Sequence, residues 1–218
     1  METAHLVDGL PIEQRLALAY APRGAREATL GLFALDAALA GVVRAAREPM
    51  LGQLRLAWWR DELGKPPAER AQGEPVLGLL NRFADLGRDL QQLVDGWELL
   101  LGNDPLTGEA LSRFARARGD ACAALARALG ASDQSEAARR CGYEWALAEL
   151  GTRLHDSAER DEVLALAAAA DWQPIRLARS LRPILVLHRL AIRSRAKTPL
   201  LARKRDMLFA FRLGMFGV

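Results

Sequence analysis

The sequence predicts an all-α protein that folds as a single helical bundle. Nearly every segment between Gly and Pro residues repeats apolar residues at helical spacing. No run alternates β-branched and polar residues as a half-buried strand would. The clearest linkers, Lys65 to Pro75 and Gly102 to Gly108, are too short to separate two domains. We therefore expect one domain over residues 1–218, which would bury roughly 70% of its unfolded surface without needing a metal or a disulfide.

Helix boundaries follow from capping and breaking residues. The segment between Arg26 and Arg44 carries one apolar stripe, as a packed helix requires. The stripe consists of Leu30, Phe33, Ala34, Ala37, Gly41 and Val42. The next helix begins at Pro49, which suits a first turn, and ends at Leu63 because Gly64 and a Pro pair follow. The remaining helices are predicted at about 11–21, 75–84, 87–101, 108–129, 134–153, 158–170, 174–193 and 199–214.

The net charge of +3 conceals a regional asymmetry. From Ile175 to Val218 there are eleven Lys or Arg residues and a single acid, Asp206, so the preceding residues carry −7. At about 198–218 the basic cluster is mixed with Leu, Met and Phe. This segment is either a solvated terminal helix or a surface for an anionic membrane or a protein partner.

Other sequence features limit the compartment and the chemistry. Cys122 and Cys141 lie in apolar helical patterns without neighbouring metal ligands, which predicts reduced core residues. The N-terminus lacks the pattern of a secretory signal, and no uninterrupted apolar stretch approaches the roughly 18 residues of a membrane span. We expect a cytoplasmic protein, with peripheral membrane attachment as an option. No nucleophile elbow, phosphate loop or pair of histidines occurs, so no catalytic residue is predicted. No nucleic-acid partner is expected.

The helix from Pro49 to Leu63 carries a resemblance to a known family. It contains Gln53, Arg55 and the pair Trp58-Trp59, and it follows Ala19-Tyr20-Ala21-Pro22 and Leu32-Phe33-Ala34-Leu35-Asp36. These segments resemble the N-terminal half of squalene/phytoene synthase family proteins, which have a Gln-x-x-Arg-x-x-x-Trp-Trp-type helix; here Gln53 and Arg55 are two apart, not three. Weaker similarities extend over the rest of the chain, at Leu93-Val94-Asp95-Gly96, Phe114 to Gly130, Cys141 to Arg153 and Leu181-Arg182-Pro183-Ile184.

The resemblance implies a helical isoprenoid-synthase fold in which two facing aspartate clusters hold magnesium and bind prenyl diphosphates. In this chain the first cluster's positions fall near Ala40, Gly41 and Arg44, and none of them is a carboxylate. The second cluster's Asn falls near Glu149, and its Arg-Asp pair falls near Thr152 and Arg153. An arginine in place of a metal-binding carboxylate repels a divalent cation. No cofactor is therefore expected.

The resemblance also suggests which residues would contact a ligand. Four aromatic residues are expected to line an apolar pocket for a prenyl chain, although an ordinary core role is the alternative for Tyr20, Phe33, Trp59 and Tyr143. Three arginines are candidates for contact with a diphosphate or another anion, namely Arg44, Arg55 and Arg153. If the chain does bind magnesium, the displaced carboxylates would be Asp36, Asp156 and Glu159.

Three functions are compatible with these features. The first is a catalytically degenerate squalene/phytoene synthase-like protein that acts as a binding or assembly factor, at a membrane surface or in the cytoplasm. The second is an active magnesium-dependent prenyltransferase of isoprenoid biosynthesis that uses the displaced carboxylates. The third is a helical adaptor without a small ligand. An apolar cavity without facing carboxylates favours the first, and carboxylates that converge on a metal site favour the second.

Overall fold

The protein is all-α, as the sequence predicts. A computed structural model describes residues 2–102, 105–201, 206–207 and 209–210, and within these ranges there is no β-strand. Short 3₁₀ turns occur at Pro67–Glu69, Ser132–Gln134 and Arg179–Leu181. The α-helices are α1 (Glu2–Asp8), α2 (Ile12–Ala19), α3 (Arg23–Ala45), α4 (Pro49–Gly64), α5 (Pro75–Leu80), α6 (Ala84–Asp89), α7 (Gln91–Glu98), α8 (Gly108–Ala128), α9 (Ser135–Arg153), α10 (Ser157–Ala169) and α11 (Arg182–Ser194).

Helix α3 has buried apolar residues on nearly every side, as a helix inside the bundle requires. Phe33, Leu35 and Leu39 are fully buried, and helices α2 to α11 all contribute residues to the same hydrophobic cluster. By length and composition α3 could also cross a membrane, with a mean hydropathy of 1.5 over its most apolar window. The sequence predicts no stretch of spanning length, whereas α3 is one candidate for such a span among the described residues. Because 67% of that window is buried inside the bundle, the helix has the burial of a core helix.

Helices α8 and α9 pack at unusually short range. A Cβ atom added to Gly142 of α9 would lie 2.6 Å from the Cys122 sulfur and 2.9 Å from the Arg118 carbonyl oxygen of α8. Both cysteines are free and buried, as predicted. This close approach brings side chains from two long helices to the same point in the centre of the bundle.

Several predicted boundaries are confirmed, and others differ. Helix α1 was not expected. The helix predicted at 87–101 is divided into α6 and α7 at Leu90, which is buried. Gly87 of α6 lies directly on the buried guanidinium of Arg70, which donates hydrogen bonds to the carbonyls of Leu63 and Lys65 and to Asn81.

The helix predicted at 174–193 begins only at Arg182. Trp172 has a positive φ of 52°, and its indole is buried while Nε1 donates to the Ala167 carbonyl at 2.6 Å. The chain then runs without helix over 171–178, before the 3₁₀ turn at Arg179–Leu181 that leads into α11.

The basic C-terminal segment is described only in part. Residues 202–205, 208 and 211–218, which include the basic cluster at 203–205, lie outside the described residues. In the described part Leu200 and Ala210 are buried, and Arg193 of α11 binds Asp206 at 2.9 Å and covers the ring of Phe209. These apolar groups pack on the domain, whereas Met207 is half exposed.

Candidate functional site

Three charged residues from three helices meet in the centre of the bundle. Asp36 of α3, Arg118 of α8 and Glu149 of α9 form what we call the buried ion triad. Arg118 donates to both oxygens of Asp36, at 3.1 and 3.0 Å, and to Oε2 of Glu149 at 2.7 Å. Its side chain is 3% exposed. One guanidinium therefore bridges two carboxylates that approach from opposite helices, in the fork geometry that arginine provides.

Aromatic rings surround the guanidinium of Arg118. Its Cζ lies 4.5 Å from the ring centroid of Trp145, 4.9 Å from that of Phe114 and 5.5 Å from that of Trp97. Trp97 also donates its indole N–H to Asp36 at 2.9 Å. Cation–π contacts and charge-assisted hydrogen bonds therefore compensate together for the loss of hydration of the arginine.

The protonation of the triad depends on this pairing. Burial raises the pKa of Asp36, the guanidinium of Arg118 opposes that rise, and the nearby charge of Glu149 adds to it. Burial lowers the pKa of Arg118, but the two carboxylates raise it more, so it lies above its ordinary value. Arg118 is therefore a permanent positive charge in the interior.

A cavity with two adjoining lobes lies against the triad. The apolar lobe has a volume of about 330 Å³ and the polar lobe about 320 Å³. Each is within the size range of small-molecule sites. The residues shared by both lobes are Ala40, Arg44, Arg118, Glu149 and Arg153.

The lobes differ in the side chains that line them. The apolar lobe is walled by Val43, Trp97, Leu100, Leu106, Phe114, Leu150, Leu154 and His155 in addition to the shared residues. The polar lobe is completed by Gly9, Leu10, Pro11, Gln14, Asp36 and Ala37. Gln14 donates to Asp36 at 3.2 Å, and its own Oε1 is buried without a partner among the described residues. A ligand with an apolar chain and a polar end would match this arrangement.

Two of the three arginines predicted to contact an anion lie on this cavity. Arg44 and Arg153 line both lobes, whereas Arg55 lies on a separate surface groove between α3 and α4. Arg153 is partly neutralised, because it binds Glu149 at 2.7 Å and Glu13 at 3.2 Å. The side chain of Arg44 is exposed and forms no hydrogen bond or ion pair with any described residue.

The four aromatic residues predicted to line a pocket are not brought together in this cavity. Phe33 is fully buried against Trp145, with ring centroids 5.9 Å apart. Trp59 packs edge-on against Trp58 and lies on the groove that contains Arg55. Tyr20 and Tyr143 are partly buried beside the core. Trp97, Phe114 and several leucines line the apolar lobe instead.

The three displaced carboxylates have other partners. Asp36 belongs to the buried ion triad, Asp156 caps the N-terminus of α10 by accepting from two backbone N–H groups, and Glu159 accepts from the Leu106 N–H at 2.8 Å. Among the described residues no group of three His, Cys, Asp or Glu side chains is arranged to hold a metal. The magnesium sites that the resemblance implies do not fit the described residues, because Arg118 already lies between Asp36 and Glu149, the carboxylates that line the cavity in this part of the chain.

Arg118 was not among the predicted site residues, although the sequence contains a pattern that indicates it. Arg118 lies four residues from both Phe114 and Cys122, so it is on the apolar face of α8. An arginine on a buried helix face requires buried acidic partners. The same reasoning identifies Asp36, which lies among buried apolar residues of α3, four residues after Leu32 and three before Leu39.

The fold and this cavity define an all-α bundle with a candidate ligand site between α3, α8 and α9. Searches with models of known protein families, among curated proteins and among solved structures find no match.

Proposed function

We propose that this protein is a squalene/phytoene synthase-like binding protein that does not carry out metal-dependent prenyl transfer. The observation on which this proposal rests is the bridging of Asp36 and Glu149 by Arg118. These carboxylates come from α3 and α9, the helices on which the resemblance would have the two metal clusters. A fixed guanidinium takes the place between them that a bound cation would need, and a second cation there would be repelled.

The proposed ligand is an amphiphile with an apolar chain and a phosphate or diphosphate end, as in a prenyl phosphate. The apolar lobe would accept the chain. Arg44 would attract the anionic end because no carboxylate among the described residues neutralises it, and Arg153 would contact the same end across the cavity. Counting only the arginines and carboxylates that line the two lobes, their net charge is +1. Because Glu13 outside the lobes pairs with Arg153, the charge that favours an anion over a neutral lipid is that of the unpaired Arg44.

The proposed role is that of a binding or assembly factor, in the cytoplasm or at a membrane surface. The basic residues of the C-terminal segment would hold it to an anionic bilayer or a protein partner. In the described part of that segment the apolar groups pack on the domain, so electrostatic attraction would contribute more to such contact than insertion.

The first experiment separates binding from catalysis. We expect farnesyl diphosphate to alter the fluorescence of Trp97, which lines the apolar lobe, in EDTA as well as in magnesium. We expect no magnesium-dependent pyrophosphate release from farnesyl or geranylgeranyl diphosphate under conditions in which an active family member turns over. Turnover above background would contradict the non-catalytic proposal and favour the prenyltransferase alternative. Absence of any binding would contradict the ligand proposal.

Matched variants locate the ligand. Arg44→Glu should weaken binding by about tenfold or more, because it reverses a charge on the cavity. Arg55→Glu is the control, since Arg55 is also exposed and unpaired among the described residues but lies on another groove. Ala40→Phe should block the junction of the two lobes. Equal effects of the Arg44 and Arg55 substitutions would show that general charge, not this cavity, attracts the ligand.

A further inference from the structure

Helix α4 exposes a row of large apolar residues to solvent. The exposed fractions are 69% for Met50, 55% for Leu51, 62% for Leu54 and 40% for Trp58. With 3.6 residues per turn these four side chains fall within about 100° of arc on one face of the helix. We call this face the α4 stripe. The opposite face of α4 is buried through Leu56, among others, so the stripe is not a consequence of a loosely packed helix.

A charged residue lies beyond each end of the stripe. Arg47 lies two residues before Pro49, the first residue of α4, with exposed Glu48 between them, and Asp61 lies in the last turn of the helix. Both are exposed, and neither has a hydrogen bond or ion pair with any described residue. Arg47 and Asp61 therefore offer one unpaired charge of opposite sign near each end of the stripe, with Glu48 adding an acid at the Arg47 end.

The order of these residues is symmetric about Leu54. Arg47, Met50, Leu54, Trp58 and Asp61 are separated by three, four, four and three residues. If a second α4 lies antiparallel with Leu54 on the twofold axis, Met50 faces Trp58 of the second copy. Arg47, just outside the helix, then lies near the end of the second copy that carries Asp61. A twofold interface requires such self-complementarity, which neither a uniformly basic nor a uniformly acidic stripe has.

We propose that the α4 stripe is the contact surface of a homodimer in which two α4 helices pack antiparallel. The groove beside the stripe, lined by Ala38, Val42, Leu54, Trp58 and Glu74 among others, has a volume of about 380 Å³ and gives the facing Trp58 or Met50 room to insert. A single helix pair buries less than the roughly 1,600 Å² of a standard interface. The dimer should therefore be weak, with a dissociation constant in the micromolar range or above, and should dissociate on dilution.

Sedimentation velocity on the full chain over a concentration series tests the proposal. The wild-type protein should pass from monomer to dimer. Leu54→Glu should remain monomeric, whereas Ile12→Glu, which changes an equally exposed apolar residue on α2, should dimerise like the wild type. A wild-type protein that stays monomeric at the highest soluble concentration would overturn the proposal.

Charge reversal tests the antiparallel register. Arg47→Asp and Asp61→Arg should each weaken the dimer by about tenfold, because each places like charges opposite one another. Combining Arg47→Asp with Asp61→Arg should restore wild-type affinity. Since all three variants change exposed residues only, they should fold normally. If the combined variant is no better than the single ones, Arg47 and Asp61 do not face each other and this register is wrong.

A cysteine on the symmetry axis gives an independent result. Leu54→Cys should form a disulfide-linked dimer on mild oxidation, while Gln53→Cys, exposed on the same helix about 100° away, should not. The native cysteines are buried and do not compete. Binding to vesicles of anionic lipid tests whether the stripe is instead a membrane-binding surface. If the monomer binds these vesicles through Leu54 and Trp58 and no cross-linked dimer forms, the homodimer proposal is wrong.

Discussion

Removal of Arg118 should expose how strongly the bundle depends on its buried ion triad. Arg118→Met keeps most of the side-chain volume and the aromatic packing but deletes three charge-assisted hydrogen bonds, two to Asp36 and one to Glu149. Two carboxylates then remain buried without their cation. Breaking one partner of a buried ion pair costs about 3–5 kcal/mol. That is a large part of the roughly 5–15 kcal/mol by which a domain is stable.

The loss should also depend on pH, because the unpaired carboxylates can escape by taking up a proton. Without Arg118, burial and the charge of Glu149 leave the pKa of Asp36 raised above its ordinary value of 3.8. The folded state then holds a proton that the unfolded state has released. Stability contributed by such a group is present at low pH and is lost as pH rises through the folded pKa. The variant should therefore be destabilised more at pH 8 than at pH 5.

Urea unfolding followed by tryptophan fluorescence measures both effects, since Trp97 and Trp145 lie against Arg118. Arg113→Met is the matched control, an exposed arginine on the same helix, and should change stability by at most about 0.5 kcal/mol. A loss below about 1 kcal/mol for Arg118→Met, or an equal loss at both pH values, would refute the reasoning.

Three further predictions concern stability and reactivity. Glu62 accepts hydrogen bonds from Lys65 and the Ala71 N–H, which hold its pKa below the ordinary value of 4.5. Its contribution to the free energy of unfolding is therefore present above that pH and is lost as pH falls through the folded pKa. In acid titration followed by circular dichroism, Glu62→Gln should lose less stability than the wild type. Burial raises the pKa of Cys122 to about 12, so native protein at pH 8 should not react with a thiol reagent until it is unfolded in urea; labelling of folded protein would contradict this burial. Gly142→Ala should cost about 1–3 kcal/mol in urea unfolding by forcing α8 and α9 apart, whereas Gly41→Ala, where a Cβ meets nothing within 4 Å, should be neutral or stabilising.

The fold was predictable because helix periodicity and helix breakers are local signals. The apolar stripe of α3 and the Pro and Gly residues around α4 indicate those helices directly. A break between 170 and 174 was predicted, but the division at Leu90 and the late start of α11 at Arg182 were not, because both depend on tertiary packing. A buried Arg70 fits closely against Gly87, and the Trp172 indole is buried at the cost of a positive φ. Neither contact has a trace in the neighbouring sequence.

The residues of the site that were predicted came from the family resemblance, not from helix register. Arg44 and Arg153 were expected to contact an anion, and both lie on the cavity although 109 positions separate them in the sequence. Tyr20 and Tyr143 do not line that cavity, because aromatic content alone does not tell a core residue from a pocket wall. Arg118 was missed because its charge argues for the surface unless the acids on α3 and α9 are known to approach it.

The two kinds of arginine around the cavity should respond differently to salt. The side chain of Arg118 is 3% exposed and its charge is balanced by Asp36 and Glu149, so added salt screens these pairs much less than exposed ones. Arg44 is exposed and unpaired among the described residues, and at physiological ionic strength its field is screened over about 8 Å. If the proposed anionic ligand binds, its affinity should fall as salt is added, while the unfolding free energy contributed by the triad should remain nearly constant. The attraction for an anion would then come from the rim of the cavity, and the buried ion triad would serve to fix the two helices between which the ligand lies.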